Sequence, residues 1–122
     1  MTKFVLNSNL VGELLYSAEY KAIRDYTIPD VDFRGYRYIR ILFAPSGTNR
    51  MVFTDVYIDE NAVGFPLVFD NFPGGVYHKY VRSMSVSNGT LTIGVARDYS
   101  ILAGTSTEKD NYCVPIKIWG FK

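Results

Sequence analysis

From Val81 to Ala96 the chain alternates apolar and polar residues on both sides of Asn88-Gly89. A two-residue type I′ turn needs positive φ at both central positions, and Asn-Gly adopts it at least cost. The register then follows. Ser87 lies opposite Thr90, Val86 opposite Leu91, Ser85 opposite Thr92 and Met84 opposite Ile93. One face carries Met84, Val86, Leu91, Ile93 and Val95. The other carries Ser83, Ser85, Ser87, Thr90 and Thr92. A slip of one residue would turn every apolar side chain into water, so the register is strongly specified. The segment predicts an antiparallel hairpin with one solvated face.

Similar runs recur with turn residues between them. Leu14, Tyr16, Ala18 and Tyr20 alternate with Leu15, Ser17, Glu19 and Lys21. A strand is favoured there, although Leu10, Leu14, Ala18 and Ala22 also have helical spacing. Asp25 to Ile28 is a short strand stopped by Pro29-Asp30. Tyr36 to Phe43 is rich in aromatic and β-branched residues, which suit a strand. Pro45 to Asn49 is a turn before a strand from Arg50 to Ile58, making a hairpin with a loop of about five residues. Asp59-Glu60-Asn61 is a second turn. Phe65 to Phe69 follows, and Pro66 places it at a sheet edge. Asp70 to Gly75 is a loop, Arg97 to Asn111 a long polar connection, and Tyr112 to Phe121 the last strand. About eight short strands at this spacing predict an all-β fold, a single antiparallel β-sandwich that is jelly-roll-like or barrel-like. Residues 1–122 form one domain.

Alternation also predicts the core: Ile39, Ile41 and Phe43, with Val52, Val56, Ile58, Val114, Ile116, Ile118 and the hairpin's apolar face. The opposite faces are not cleanly polar. Tyr36, Tyr38 and Leu42 fall on one, and Met51, Phe53 and Tyr57 on the next. An outer face so aromatic calls for a cover, either the rest of the sandwich or a neighbouring subunit.

Composition narrows the function classes. Ten Tyr, eight Phe and one Trp make the chain 16% aromatic. Lys and Arg number 13 against 12 Asp and Glu, a net charge of +1. That leaves no electrostatic footprint for nucleic acid and no polybasic membrane patch. The start, MTKFVLNSNLVGELLY, reads as neither a signal peptide nor a membrane span, so synthesis in the cytosol without membrane insertion is expected. The one cysteine, Cys113, rules out an intrachain disulfide. It reads as a small buried hydrophobe.

Catalytic patterns are sparse. His78 is the one histidine, and no Gly-x-Ser-x-Gly elbow accompanies it. Asp30/Asp32 and Asp55/Asp59/Glu60 lack calcium-loop spacing and read as turn-capping and solvated carboxylates. Pro73-Gly74-Gly75 and Gly104-Thr105 fit no phosphate-binding loop. No cofactor, metal or catalytic residue is expected, and the chain reads as non-enzymatic. What remains is polar-aromatic loop clusters: Asp70, Asn71 and Phe72; Tyr77 and His78; Arg97, Asp98 and Tyr99; Asp110, Asn111 and Tyr112. A sugar stacks its C–H face on an aromatic ring while its hydroxyls bond Asp, Asn and Arg. Tyr77, His78, Arg97, Asp98, Tyr99, Asp70 and Asn71 are therefore the candidate ligand-binding residues. The hairpin register brings Tyr77-His78 and Arg97-Asp98-Tyr99 to the same end of the sheet.

From Leu14 onward the chain resembles C-terminal domains of phage and prophage tail fibre and baseplate proteins. Leu14-Leu15-Tyr16-Ser17 with Asp25-Tyr26-Thr27-Ile28-Pro29 is similar to their opening strands. Gly35-Tyr36-Arg37-Tyr38-Ile39-Arg40-Ile41 is similar to the loop, tyrosine and hydrophobic strand that follow. Val114-Pro115-Ile116-Lys117-Ile118-Trp119-Gly120-Phe121-Lys122 is similar to their closing strand. The resemblance implies a β-sandwich that forms a homotrimer, sits in the virion with other tail proteins, and docks a host cell-surface or cell-wall saccharide as a receptor-binding, adhesin-like module. A structural virion or tail-assembly protein without a glycan ligand is the alternative. A small cell-wall glycan hydrolase is a third reading and would need two carboxylates converging in one cleft.

Overall fold

The Asn88-Gly89 turn forms as the alternation requires, with φ of 51° at Asn88 and 79° at Gly89. The pairs Ser87–Thr90, Val86–Leu91, Ser85–Thr92 and Met84–Ile93 all stand as expected. The computed structural model describes residues 3–7, 10–58 and 63–122; the expected turn at Asp59-Glu60-Asn61 lies outside them. Ten strands run in chain order: β1 (Lys3–Asn7), β2 (Leu10–Ser17), β3 (Tyr26–Thr27), β4 (Tyr38–Ala44), β5 (Val52–Tyr57), β6 (Val63–Asn71), β7 (His78–Ser87), β8 (Thr90–Ser100), β9 (Thr105–Glu108) and β10 (Val114–Phe121). They form two antiparallel sheets packed as a β-sandwich. One sheet has the order β1-β2-β10-β4-β5. The other has β3-β8-β7-β6, with β9 also paired to β8.

Strands β1 and β9 are additions to the expected set. β9 lies inside the polar connection, where Thr105–Glu108 carries no apolar alternation and all four residues are exposed. The expected strand at Leu14 to Lys21 is β2, which starts earlier, at Leu10. Pro66 sits on β6, the last strand of its sheet, where its missing N–H breaks no ladder bond.

The core is built by alternation from both sheets. Ile39, Ile41 and Phe43 of β4 meet Leu67 of β6, Met84 and Val86 of β7, Leu91 and Ile93 of β8, and Ile118 of β10. Val52, Val56 and Ile58 pack against this cluster while half-buried. Val114 and Ile116 do not join Ile118 in this core as alternation expects: the register of β10 on β4 shifts between Pro115 and Lys117, and they are buried with Ala44 in a separate small cluster. Phe33 is a core residue that alternation does not reveal, because it sits in a loop. Its N–H donates to the Gly89 carbonyl at 2.9 Å, and its ring is fully buried. The Pro29–Gly35 segment thus lies under the hairpin turn and closes that end of the sandwich.

Two expected orientations are corrected. Val95 does not continue the hairpin's inner face. The register shifts between Arg82 and Met84, so that Arg82 pairs with Ala96. One extra residue in β8, at Gly94-Val95, forms a β-bulge, and Ala96 becomes the buried residue. Tyr36 is not on the outer side. It precedes β4, and its ring lies over Gly120, whose partner Ile39 faces the core. A Cβ at Gly120 would come within 2.5 Å of the Tyr36 ring, so the glycine makes room for it. The Tyr36 hydroxyl donates to Glu13 at 2.9 Å, and burial pushes its pKa up to about 12.

Candidate functional site

The bulge decides which loop residues share a surface. Side chains alternate strictly along a strand, so one inserted residue reverses every side chain beyond it. Past the bulge, Asp98 pairs with the buried Tyr80 and faces inward, while Arg97 and Tyr99 face outward. Asn71 and His78 pair with each other two residues from Phe69 and Tyr80, and so share the inner face.

The inner side of this sheet end carries a hydrogen-bonded polar group. His78 Nδ1 donates to Asp98 Oδ1 at 2.7 Å, with the two side chains only 22% and 17% exposed. Asn71 Nδ2 donates to the Tyr80 hydroxyl at 2.9 Å. The Tyr80 ring packs on that of Tyr112, with the centroids 4.3 Å apart. Burial raises the Tyr112 pKa, with nearby Tyr80 adding to it, so the phenol stays protonated at neutral pH.

The outer side carries a different set. Tyr77 donates its hydroxyl to Asp70 at 2.8 Å. Its ring stacks on Phe72 at 5.0 Å and 18°, beside a single 3-10 turn at Pro73–Gly75. Arg97 donates to Glu108 Oε1 at 3.2 Å and to Ser106 at 3.3 Å. Tyr99 borders a shallow cavity of about 270 Å³ with Ile101 and Thr105.

The seven candidate residues are therefore brought to one end of the sandwich but not into one cluster. Asn71, His78 and Asp98 line its inside. Asp70, Arg97 and Tyr99 lie on its outer face, and Tyr77 joins Asp70 there. Of the fourth loop cluster, Tyr112 joins the inner group. The Asp110 and Tyr112 carbonyls instead accept from Arg82.

The remaining candidate chemistry resolves into structural roles. Asp32 accepts from the backbone N–H and the guanidinium of Arg34, a turn-capping arrangement that holds its carboxyl below the usual range. Asp55 bonds Arg40 through both oxygens, at 2.7 and 2.9 Å. Asp59 and Glu60 lie outside the described residues. Gly74 and Gly75 adopt φ of 60° and 81° in their turn. Among the described residues, no three His, Cys, Asp or Glu side chains are grouped as a metal ion would need.

Cys113 is fully buried just before β10, and burial pushes its thiol up to about 12. The thiolate is the nucleophile, so this sulfur is inert while the fold is closed. Native protein at pH 8 is expected to resist a disulfide-exchange reagent and to react within minutes in denaturant. Fast labelling of the native chain would show that the thiol is not held as described.

The other unusual surface is the outer side of the five-stranded sheet. Phe53 and Tyr57 on the edge strand β5 are 59% and 74% exposed. Phe53 lies 6.1 Å from Trp119, and Tyr57 lies 5.7 Å from Tyr38, which stacks on Phe121. Trp119 and Phe121 are buried, whereas the β5 aromatics are exposed. Comparison of the chain with protein-family models, with curated proteins and with solved structures finds no match in any of the three.

Proposed function

We propose that the chain is a non-enzymatic receptor-binding module of a phage tail or virion that recognises a host saccharide at the free end of the β6–β7–β8 sheet. The observation that carries this reading is the pairing of an exposed aromatic platform with prealigned acceptors. Phe72 is 61% exposed and stacked on Tyr77, whose hydroxyl is anchored on Asp70. Such a platform suits the C–H face of a sugar, and fixed carboxylates suit its hydroxyls. Binding groups on loops held by a rigid sheet are also the common arrangement for recognition. Asp70 and Asp98 point to opposite sides of the sheet, which disfavours a glycosidase, since its two carboxylates must flank one bond.

A structural virion role without a glycan ligand is the second reading. The β5 aromatics favour it, because an exposed aromatic face suits a neighbouring subunit. The same face would serve the homotrimer and contacts to other tail proteins under the first reading. The two separate on a glycan array probed with the wild type, Tyr77→Ala and Asp70→Ala, with light scattering on the same samples. The receptor-binding reading expects a trimer, and glycan signals that fall about tenfold in both variants, one losing the ring that backs Phe72 and the other a charge-assisted bond. A trimer silent on every glycan would support the structural reading, and a strict monomer would count against both.

A further inference from the structure

Between the sheets, on the inner side of the same end, lies a cleft of about 240 Å³. The β4–β5 loop forms one wall with Ser46, Asn49 and Arg50, and the end of β6 forms the other with Phe69 and Asn71. Of its lining, only Asn71 belongs to a cluster that the sequence singled out. Its distinguishing feature is an arginine that lies over an aromatic ring at the cleft with no carboxylate partner. Arg24, Arg34, Arg40 and Arg97 each face a carboxylate within 3.2 Å. Arg82 is buried on backbone carbonyls. Arg37 also faces no carboxylate among the described residues, but it is exposed and away from this cleft. Arg50 meets only the face of Phe69, 5.4 Å from the ring centroid. No carboxylate among the described residues is within ion-pair distance of it.

We infer that this cleft binds the carboxylate of an acidic sugar, with Arg50 as its counter-charge. A guanidinium presents a fork of N–H donors that matches a carboxylate bidentately, and one kept over an aromatic face is already oriented for it. Asn71 supplies the second contact. Its amide nitrogen is committed to Tyr80, whose ring packs on Tyr112. The amide oxygen is therefore left as an acceptor for a sugar hydroxyl in the cleft. Asn49 and Ser46 offer further polar groups on the facing wall. The volume is below the roughly 300–1,000 Å³ of drug-sized pockets, which fits one sugar ring and its carboxylate. The inference rests on the saccharide reading and adds the charge of the ligand to it.

The test is calorimetric titration of the full chain with trigalacturonic acid, its methyl ester and galactotriose, and with sialyllactose against lactose. The first three probe a uronate source of the carboxylate, and the last two a sialic acid source. Arg50→Gln and Asn71→Ala are compared with the wild type. Arg37→Gln serves as a control, since Arg37 is exposed and away from the cleft. Arg50 is exposed too, so Arg50→Gln is expected to fold, checked by its melting curve. The inference expects an acidic probe to bind, its ester or neutral counterpart to bind about tenfold more weakly, and Arg50→Gln to lose a similar factor. Arg37→Gln should be unchanged. Equal binding of neutral and acidic probes, or full affinity in Arg50→Gln, would overturn the inference and leave the saccharide reading standing. Silence on every acidic and neutral probe, repeated on the array, would overturn both.

Discussion

Replacing Arg82 with methionine is expected to remove about 4 kcal/mol of stability, the largest loss of any single substitution considered for this chain. Arg82 is completely buried on β7, and no carboxylate among the described residues lies within ion-pair distance of it. Its five N–H groups all meet backbone carbonyls instead. Nε reaches Cys113, one terminal nitrogen reaches Ile23 and Gly94, and the other reaches Asp110 and Tyr112. A guanidinium has five donors, so none is left over. Burial lowers the arginine's pKa by desolvation, yet the group stays charged because its starting value is so high. The carbonyl dipoles stand in for water. The carbonyls come from three separate places: the segment after β2, the bulge of β8 and the loop before β10. Arg82 is thus the tie that holds irregular backbone against the sheet. Methionine would fill much of the same volume and take a donor from each of those carbonyls, at about 1–3 kcal/mol for each left without a partner that water cannot reach; the Asp110 carbonyl keeps the Ile23 N–H. Lysine brings three donors and should fall between, at about 2 kcal/mol. Urea unfolding should show both shifts in the midpoint with an unchanged slope. A methionine variant within about 1 kcal/mol of the wild type would mean that water replaces the guanidinium freely.

Arg82 also shows how much of this molecule was legible in the sequence. Its inward direction was there to be read, since Arg82, Met84 and Val86 share one parity. An arginine in that position contradicts an apolar face, and the contradiction was the signal. The carbonyl ends that resolve it come from distant loops, which periodicity does not describe. The hairpin, the β4–β5 pair and the edge position of β6 were legible because turn chemistry and alternation are local. Phe33 was not, because a loop residue joins the core only when the rest of the sandwich is in place. The candidate site was half legible. Strand register alone brings Tyr77-His78 and Arg97-Asp98-Tyr99 to one end. Which of them face inward depends on a bulge whose only trace in the sequence is Gly94, a residue that also fits an ordinary strand. Arg50 was passed over because its meaning lies in what it lacks, a carboxylate partner.

Gly94→Ala is expected to cost about 2 kcal/mol and to disturb the site, whereas Gly64→Ala is expected to be neutral or stabilising by about 0.5 kcal/mol. Both glycines lie in strands of the same sheet, so strand propensity treats them alike. The packing does not. A Cβ on Gly94 would stand 2.8 Å from the backbone oxygen of Ser83 and 3.2 Å from its Cβ. That oxygen belongs to a paired strand and has little room to retreat. A Cβ on Gly64 meets nothing nearer than 3.9 Å. The Gly94 carbonyl also accepts from Arg82 at 2.8 Å, so straightening the bulge removes one of the five guanidinium contacts. The consequence for the site is specific. Without the extra residue, Arg97 and Tyr99 would turn inward and Asp98 would turn to solvent, which breaks its bond to His78. The His78 ring nitrogens report this directly by long-range proton–nitrogen NMR. In the wild type and in Gly64→Ala, Nδ1 should carry the proton given to Asp98. In Gly94→Ala that signal should shift or broaden, alongside the loss in midpoint. A Gly94→Ala chain with wild-type stability and an unchanged imidazole would show that the bulge does not depend on its glycine, and that the inward turn of Asp98 has another cause.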